Sequence, residues 1–220
     1  QSFTVSTPAH TYNLWTPLLG THQIENASVA IAAVECSSKL NLHVSFESVT
    51  QGLSEIRWPG RLDILSTSPL VVTDGAHNID SMKRLAEAIV DCFHYKRLLV
   101  VMGCSSEKDL NGMMEWIAPL ADHAFAGSSR HPRASASERI ADAFRLRGVP
   151  STAFSDIVSA LEAACSQAGP QDLVLATGSL FVAAEAIQAM SGIPGEIYPS
   201  FDPYTYASTS LSNARQSLDL

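Results

Sequence analysis

Short apolar runs alternate with longer amphipathic stretches over most of the chain after residue 61. The runs predict six β-strands, the weakest of them in VPSTAF: LDIL, LVVTD, RLLVVMG, HAFAG, VPSTAF and DLVLATG. Most of the stretches between these runs are long enough for helices. Parallel strands need crossover connections of this kind, so the alternation favours an α/β fold with a doubly wound, largely parallel sheet. The predicted architecture is Rossmann-like.

Three of the amphipathic stretches carry helix signals. In residues 80–93, five apolar side chains fall on one face at helical spacing: Met82, Leu85, Ala86, Ile89 and Val90. A second helix is expected to begin with the capping-box pair Ser135 and Glu138 and to end at Gly148. The third helix is expected within residues 156–170, where a Gly-Pro pair ends the pattern.

Residues 1–59 follow a different pattern. They combine a strand-like start, an Ala-rich helix with Asn26 or Ser28 as the expected N-cap, and a second short helix. The WPGR segment then breaks the pattern, because Pro59 fixes its own φ angle and Gly60 tolerates a positive φ. We therefore predict a domain boundary immediately before Gly60.

This boundary and the change in composition after residue 192 divide the chain into three predicted segments. Residues 1–59 are expected to be the end of a preceding domain, since their Ala-rich helix suits packing against a sheet that the segment does not supply. Residues 60–192 form the Rossmann-like domain. Residues 193–220, rich in Pro, Ser and Tyr, form an extended or poorly ordered tail. Because the chain starts at Gln1 in a strand-like segment, we expect it to be part of a longer protein.

Composition excludes several classes of protein. Of the 220 residues, 46% are hydrophobic and 16% are charged, which is typical of a folded globular protein. The formal net charge is -8 and the Lys and Arg residues are scattered, so no nucleic-acid partner is expected. No apolar run approaches the roughly 18 residues that cross a bilayer, and the first residues lack signal-peptide features. We expect a cytoplasmic protein with no membrane partner.

Cysteine and histidine spacing gives no disulfide or metal pattern. The cysteines are far apart along the chain and are expected to be buried, reduced thiols: Cys36, Cys92, Cys104 and Cys165. Four of the histidines also lack the spacing of metal ligands: His22, His94, His123 and His131. We therefore predict no metal site among these residues.

Polar residues follow three of the predicted strands. Asp74 and His77 come after LVVT, Lys108 comes after RLLVVMG, and Ser179 comes after DLVLAT. Ligands of open α/β sheets bind at the carboxyl ends of the strands. Ser179 also opens a predicted helix, whose exposed N–H groups favour an anion. These positions are the candidates for a binding site.

Each candidate also has a purely structural interpretation, which the residues alone leave open. Asp74 suits a turn or a helix cap, and His77 and Ser179 suit caps. Lys108 stands where many helices have a solvated first turn. Arg61, in the WPGR segment, suits a surface ion pair.

Several motifs together resemble the folylpolyglutamate synthase and dihydrofolate synthase family and, more distantly, the Mur ligases. GTHQIEN, WPGRLDIL, VVTDGAHN, KDL and TGSLFVAAEAI occur in the order and rough spacing of that family, across about residues 12–190. The resemblance implies ATP-dependent amide formation, in which the γ-phosphate activates a carboxylate and the amine of glutamate then attacks the acyl phosphate. It also implies that residues 60–192 are a Mur ligase C-terminal domain and residues 1–59 the end of the central ATPase domain.

The resemblance assigns a nucleotide-binding role to four residues. Asn26 is expected at the adenine, for which an amide offers both a donor and an acceptor. Arg61 is expected beside the phosphates. Asp74 is expected to face the ribose, with His77 close by.

Two further residues fall where ligases of this type hold the incoming amino acid. Lys108 and the helix N-terminus at Ser179 suit its carboxylates. The implied ligands are ATP, Mg²⁺, L-glutamate and folate or dihydropteroate, and the implied state is a monomer. The P-loop and the magnesium ligands belong to a central domain, and no G-x-x-G-K-[ST]-type motif occurs in this sequence. The chain alone is therefore expected to be inactive, with no catalytic residue assigned within it.

Other functions remain open at this point. One is a different Mur-type ligase, such as a peptidoglycan-precursor ligase, although WPGR with DGAHN argues against it. Another is a non-catalytic module that binds a nucleotide or an amino acid, which the missing P-loop favours. A dinucleotide oxidoreductase is weaker, because MGCSSEKD lacks the G-x-G-x-x-G turn. The residues also leave open whether the acceptor is dihydropteroate or folate.

Overall fold

The computed structural model describes residues 1–195. Its first part is a β-hairpin, β1 (Ser2–Ser6) and β2 (Thr11–Trp15), followed by helices α1 (Thr21–Ser37) and α2 (Phe46–Glu55). A small core joins these elements, and its fully buried members are Tyr12, Leu14 and Ile31. The strand-like start and the two helices of this segment agree with the sequence prediction. The assignment of the segment to an ATPase domain stays a prediction.

The second part is a six-stranded sheet with five helices. Its elements follow in this order: β3 (Asp63–Thr67), β4 (Leu70–Thr73), α3 (Ile79–Cys92), β5 (Leu98–Met102), α4 (Leu110–Ile117), β6 (His123–Ala126), α5 (Ser137–Arg145), β7 (Ser151–Ala153), α6 (Ile157–Gln167), β8 (Leu173–Thr177) and α7 (Leu180–Ser191). The strand order is β3-β4-β8-β5-β6-β7. Only the β3–β4 pair is antiparallel within it. All six predicted strands are therefore confirmed.

Two separate apolar cores cover the faces of this sheet. Side chains of α3, α4 and α5 pack on one face, and side chains of α6 and α7 pack on the other. The central strands β5 and β8 are buried at every position, which explains why they read as continuous apolar runs. The doubly wound, largely parallel α/β fold predicted from the sequence is confirmed.

Two predictions, one for helix α1 and one for helix α3, are wrong in detail. Helix α1 begins at Thr21, after Gly20 at φ 92°, so Asn26 and Ser28 lie inside it and neither is its N-cap. Val90 is 55% exposed, although it was expected on the buried face of α3. It follows Ile89, which is fully buried, and the apolar face of α3 is narrower than the spacing suggested.

The expected capping box of α5 is also wrong. The N-cap is Ala136, and no side chain caps this end. The N–H of Ser135 instead donates to the carbonyl of Cys104 at 2.8 Å, which ties it to the loop after β5. Of the cysteines, Cys104 is buried and Cys165 is partly buried, whereas Cys36 and Cys92 are exposed, so the prediction of buried thiols fails for those two.

From residue 196 onward, the predicted tail lies outside the described residues. Over residues 1–195, every helix is too short or too polar to cross a membrane. The WPGR segment lies between the two parts, where Trp58 is 58% exposed and Gly60 is buried with φ 72°.

An ion pair joins the N-terminal ends of the two central strands. Asp172, just before β8, is 4% exposed and accepts hydrogen bonds from Arg97 Nε at 3.1 Å and from the N–H of Gly169 at 2.8 Å. Arg97 Nη2 is also bonded to the same carboxylate oxygen. The hydrogen bonds from Arg97 lower the pKa of Asp172, and burial offsets part of this effect.

We predict that Asp172→Asn lowers the melting temperature near neutral pH. A carboxyl whose folded-state pKa is depressed stabilises the fold above its ordinary value, and this contribution is lost as the pH falls through the folded-state pKa. The difference from the native chain should therefore shrink below about pH 4. Melting curves across pH test this. The control is Asp142→Asn, which removes the carboxylate of an exposed surface ion pair with Arg145. A difference that stays constant to pH 2 would contradict it.

Candidate functional site

Five parallel strands end at the same edge of the sheet, and a glycine follows closely after four of them, β4, β5, β6 and β8. A Cβ on Gly178, which has φ 103°, would collide with the carbonyl oxygen of Gly103. A Cβ on Gly103 would lie 2.7 Å from the carbonyl oxygen of Gly127. Only glycine permits so close an approach of the loops after β5, β6 and β8. Two of the candidate residues, Lys108 and Ser179, lie in the loops after β5 and β8.

Asp74 joins the WPGR segment to the sheet. Its Oδ2 accepts the N–H of Leu62 at 3.0 Å, its Oδ1 accepts the N–H of Ala76 at 2.8 Å, and its own N–H donates to Ala176 at 3.0 Å. Leu62 has a φ of 45°, a strained value for a branched residue, and Asp74 holds it there. Burial raises the pKa of Asp74, and the two backbone hydrogen bonds offset part of the rise. Asp74 is therefore a turn residue, as its structural interpretation predicts. This role does not depend on any ligand that Asp74 binds.

The first cleft lies between α1 and α3, and we call it the α1–α3 cleft. It has a volume of about 150 Å³ and the following lining residues: His22, Gln23, Asn26, Arg61, Asp74, Gly75, Ala76, His77, Asp80, Ser81, Arg84 and Leu85. All four residues predicted to bind a nucleotide are among them. The structure thus brings Asn26 of the first part beside the strand-end residues of the second. Their binding roles stay predictions.

Gln23 orients Asn26 in this cleft. The two residues lie three apart on α1, and Asn26 Nδ2 donates to Gln23 Oε1 at 3.1 Å. Gln23 is 7% exposed, whereas Asn26 is exposed. Sequence reasoning missed Gln23, because its relation to Asn26 follows only once α1 is known to begin at Thr21.

The cations of the α1–α3 cleft differ in their partners. Arg84 is paired with Glu25 at 2.6 Å and with Asp80 at 3.1 Å. Arg61 has no carboxylate within ion-pair distance among residues 1–195, and its Nη1 donates only to the adjacent Gly60 carbonyl at 3.3 Å. Burial lowers the pKa of His22. Arg61 is therefore the cation best placed to meet an anionic ligand in this cleft.

His77 lies where two clefts meet. Its Nδ1 is 2.9 Å from the carbonyl oxygen of Gly75. Since a carbonyl oxygen only accepts, Nδ1 is the protonated nitrogen, and in the neutral ring Nε2 is left as an acceptor. The N–H of His77 donates to Ser81 Oγ at 3.0 Å, next to the capping box of α3. The cap interpretation is thus partly correct, because the backbone of His77 takes part in the start of α3.

The second cleft lies at the strand ends, and we call it the strand-end cleft. It has a volume of about 230 Å³, and its lining is His77, Ser105, Glu107, Lys108, Arg133, Gly178, Ser179, Leu180 and Phe181. The two residues predicted to hold an amino acid, Lys108 and Ser179, therefore share one cleft. Ser179 is also the N-cap of α7, with Oγ accepting the N–H of Phe181 at 3.1 Å. Other N–H groups of that helix end remain for a ligand.

Arg133 is a second cation of the strand-end cleft that sequence reasoning missed. It lies in the connection after β6, and its Nη1 is 3.4 Å from Glu107 Oε1. Both side chains are largely exposed, so their attraction is weak. The signal that marked Lys108 and Ser179, a polar residue after a strand, applies equally to Arg133. The strand-end cleft thus offers two cations and a helix N-terminus to a carboxylate ligand.

Comparison with known proteins finds a matching family and similar proteins. Residues 60–180 match the family described as Mur ligase, glutamate ligase domain. The chain is 38% identical to a probable bifunctional folylpolyglutamate synthase/dihydropteroate synthase of Halobacterium salinarum, over 77% of this chain and 20% of that protein. It is 33% identical to the dihydrofolate synthase/folylpolyglutamate synthase of Bacillus subtilis, over 82% of this chain and 42% of that protein.

A solved structure agrees with the fold. The Escherichia coli FolC structure in complex with DHPP and ADP superposes with a TM-score of 0.76 and 28% identity. The match covers 85% of this chain and 43% of that chain. The chain therefore spans less than half the length of these relatives.

We predict that Asp74→Ala lowers the free energy of unfolding by about 2 to 4 kcal/mol, because two buried N–H groups lose their acceptor. Denaturant unfolding of the chain measures this. Asp80→Ala is the control, since Asp80 lines the same cleft but its side chain is 77% exposed, and we expect a change within about 0.5 kcal/mol. Equal effects of the two substitutions would show that Asp74 does not hold the WPGR segment.

Proposed function

The chain belongs to the folylpolyglutamate synthase and dihydrofolate synthase family of the Mur ligases, and we propose that it is the C-terminal part of an ATP-dependent ligase adding glutamate to folate or dihydropteroate. One observation supports this most: His77 lines both the α1–α3 cleft and the strand-end cleft. A ligase of this kind must bring a nucleotide and an amino acid to one point. The two clefts have the matching chemistry and share an edge.

The proposed reaction has two steps. A carboxylate oxygen of the folate substrate attacks the γ-phosphorus of ATP, giving an acyl phosphate and releasing ADP. The neutral amine of glutamate then attacks the acyl carbon, and inorganic phosphate leaves as the amide forms. The chain's own residues bind and orient the reactants in this scheme, and none is assigned to bond making.

The nucleotide side rests on the α1–α3 cleft. The amide of Asn26, oriented by Gln23, suits the donor and acceptor pattern of adenine. Arg61 suits the phosphates, since no carboxylate of residues 1–195 neutralises it. Each carboxylate oxygen of Asp74 accepts one backbone N–H, Oδ2 that of Leu62 and Oδ1 that of Ala76. The remaining lone pairs suit a ribose hydroxyl. Mg²⁺ is proposed to accompany ATP, with its protein ligands elsewhere in the whole protein.

The amino-acid side rests on the strand-end cleft. Lys108 and the N-terminus of α7 at Ser179 suit one carboxylate of glutamate, and Arg133 adds a second cation nearby. Local cations matter here because the chain as a whole carries a net charge of -8, which repels anionic substrates at long range.

Residues 1–59 are proposed to complete a central ATPase domain in the whole protein. The observation behind this is the exposed apolar surface of α1, where Val29 is 70% exposed. Small and apolar side chains on one helix suit packing against a sheet. A monomer in the cytoplasm is proposed on the family resemblance alone.

The chain by itself is predicted neither to hydrolyse ATP nor to ligate glutamate, because its sequence holds no P-loop motif. A phosphate-release assay with the purified chain, Mg²⁺, ATP, folate and glutamate tests this. We expect the rate of a heat-inactivated sample. Turnover clearly above that rate would contradict the proposal that activity needs a P-loop elsewhere in the whole protein.

In the whole protein, Lys108→Ala is predicted to raise the glutamate KM about tenfold to a hundredfold. A charge-assisted hydrogen bond to a carboxylate contributes about 1.5 to 3 kcal/mol, which corresponds to that factor. The ATP KM should change less than about threefold. Ser179→Ala should act in the same direction but less, since N–H groups of α7 remain.

Steady-state titration of each substrate at saturation of the other measures both constants. Lys96→Ala is the matched control, because Lys96 is exposed just before β5, at the opposite end of that strand from Lys108. It should leave both KM values unchanged. If Lys108→Ala raises the two KM values alike, Lys108 serves the phosphates or domain closure instead of the amino acid.

A further inference from the structure

The connection between β6 and α5, residues 127–136, runs along the strand-end cleft and is bonded to the loop that carries Lys108. The N–H of Ser106 donates to the carbonyl of Arg133 at 2.8 Å, and the N–H of Ser135 donates to the carbonyl of Cys104 at 2.8 Å. An isolated antiparallel bridge also joins Ser105 and Ala134. These backbone contacts fix the loop after β5 to the connection.

The same connection is bonded to α7 on its other side. Glu185 Oε1 accepts the backbone N–H of Arg130 at 2.8 Å, and it lies 3.6 Å from Arg130 Nε. One residue further on, the ring of His131 stacks on the ring of Phe181, with centroids 4.0 Å apart. Phe181 is in the first turn of α7, beside the N-cap Ser179. A continuous path of contacts therefore leads from Lys108 through the connection to α7.

Glu185 is the charged group on this path and is almost completely buried. It is 1% exposed, and within residues 1–195 its Oε2 has no hydrogen-bond partner. Burial raises the pKa of Glu185, and the hydrogen bond and charge of Arg130 offset part of the rise. A carboxylate in such a place is costly to the fold, since an apolar residue would pack there without loss of hydration. What this carboxylate contributes is the hydrogen bond that it accepts from the backbone N–H of Arg130.

We propose that Glu185 is a positioning residue for the amino-acid substrate, which rests on the proposed function of the strand-end cleft. By holding the backbone of Arg130, Glu185 keeps the connection against α7. The connection in turn keeps the loop of Lys108 at a fixed distance from Ser179. Loss of the acceptor at Glu185 lets the connection move away from α7 and widens the cleft.

The test compares Glu185→Leu with Glu185→Gln in the whole protein. Leucine removes the acceptor, whereas glutamine keeps an oxygen for the N–H of Arg130. We expect Glu185→Leu to raise the glutamate KM about threefold to tenfold with less than about a twofold change in the ATP KM, and Glu185→Gln to restore values near the native ones. Gln188→Leu is the matched control, because the Gln188 side chain, also on α7, accepts a hydrogen bond from Arg130 Nη2 at 2.5 Å instead of one from the Arg130 backbone.

Three outcomes would overturn the proposal. They are an unchanged glutamate KM in folded Glu185→Leu, an equal rise in both KM values, and a Glu185→Gln variant as impaired as Glu185→Leu. A Gln188→Leu variant as impaired as Glu185→Leu would also count against it, since the side chain of Arg130 would then carry the effect.

Amide hydrogen exchange in the 220-residue chain separates this inference from the proposed function. The N–H of Arg130 should be protected in the native chain and in Glu185→Gln, and should exchange at least about tenfold faster in Glu185→Leu. If the whole protein shows no ATP-dependent glutamate incorporation while this exchange pattern holds, the proposed function fails and the anchoring by Glu185 stands. Equal protection of Arg130 in all three proteins overturns the inference by itself.

Discussion

The hydrogen bonds of the Asp74 carboxylate are the constraint on which the candidate site depends. They fix Leu62 at a positive φ and Ala76 in the middle of the DGAHN turn, so one side chain joins the end of the WPGR segment to the end of β4. Arg61 precedes Leu62 and His77 follows Ala76. The position of the cation in the α1–α3 cleft and that of the histidine between the clefts therefore have the same origin.

The strand-end cleft depends on a second constraint, the close approach of three loops. Glycines at 103, 127 and 178 remove the side chains that would keep the loops after β5, β6 and β8 apart. Polar residues further along the same loops then converge, among them Lys108, Arg133 and Ser179. The polar side chains of the strand-end cleft therefore lie on loops, and the buried strands below these loops hold them in place.

Asp74 and Glu185 are two of the buried carboxylates of residues 1–195 that accept hydrogen bonds from backbone N–H groups. Asp74 accepts from Leu62 and Ala76, and Glu185 accepts from Arg130. Burial raises the pKa of both, so each is held at some cost to stability. In both cases the N–H belongs to a segment that borders a cleft. Fixing loops with buried carboxylates leaves the cations Arg61 and Lys108 available to ligands, within a chain that is acidic overall.

The sequence by itself determined the six strands and the doubly wound α/β class, because these depend on local apolar patterns. It also indicated six candidate residues, four of them as polar residues after strands and two, Asn26 and Arg61, only through the family resemblance. Only the tertiary structure decided which candidates share a cleft and how Gln23, Arg133 and Glu185 take part. It also decided that Ser135 bonds the loop after β5 instead of capping α5. The shared clefts and the hydrogen bonds of Ser135 and Glu185 bring together residues that are distant along the chain, and a local pattern carries no signal for such pairs.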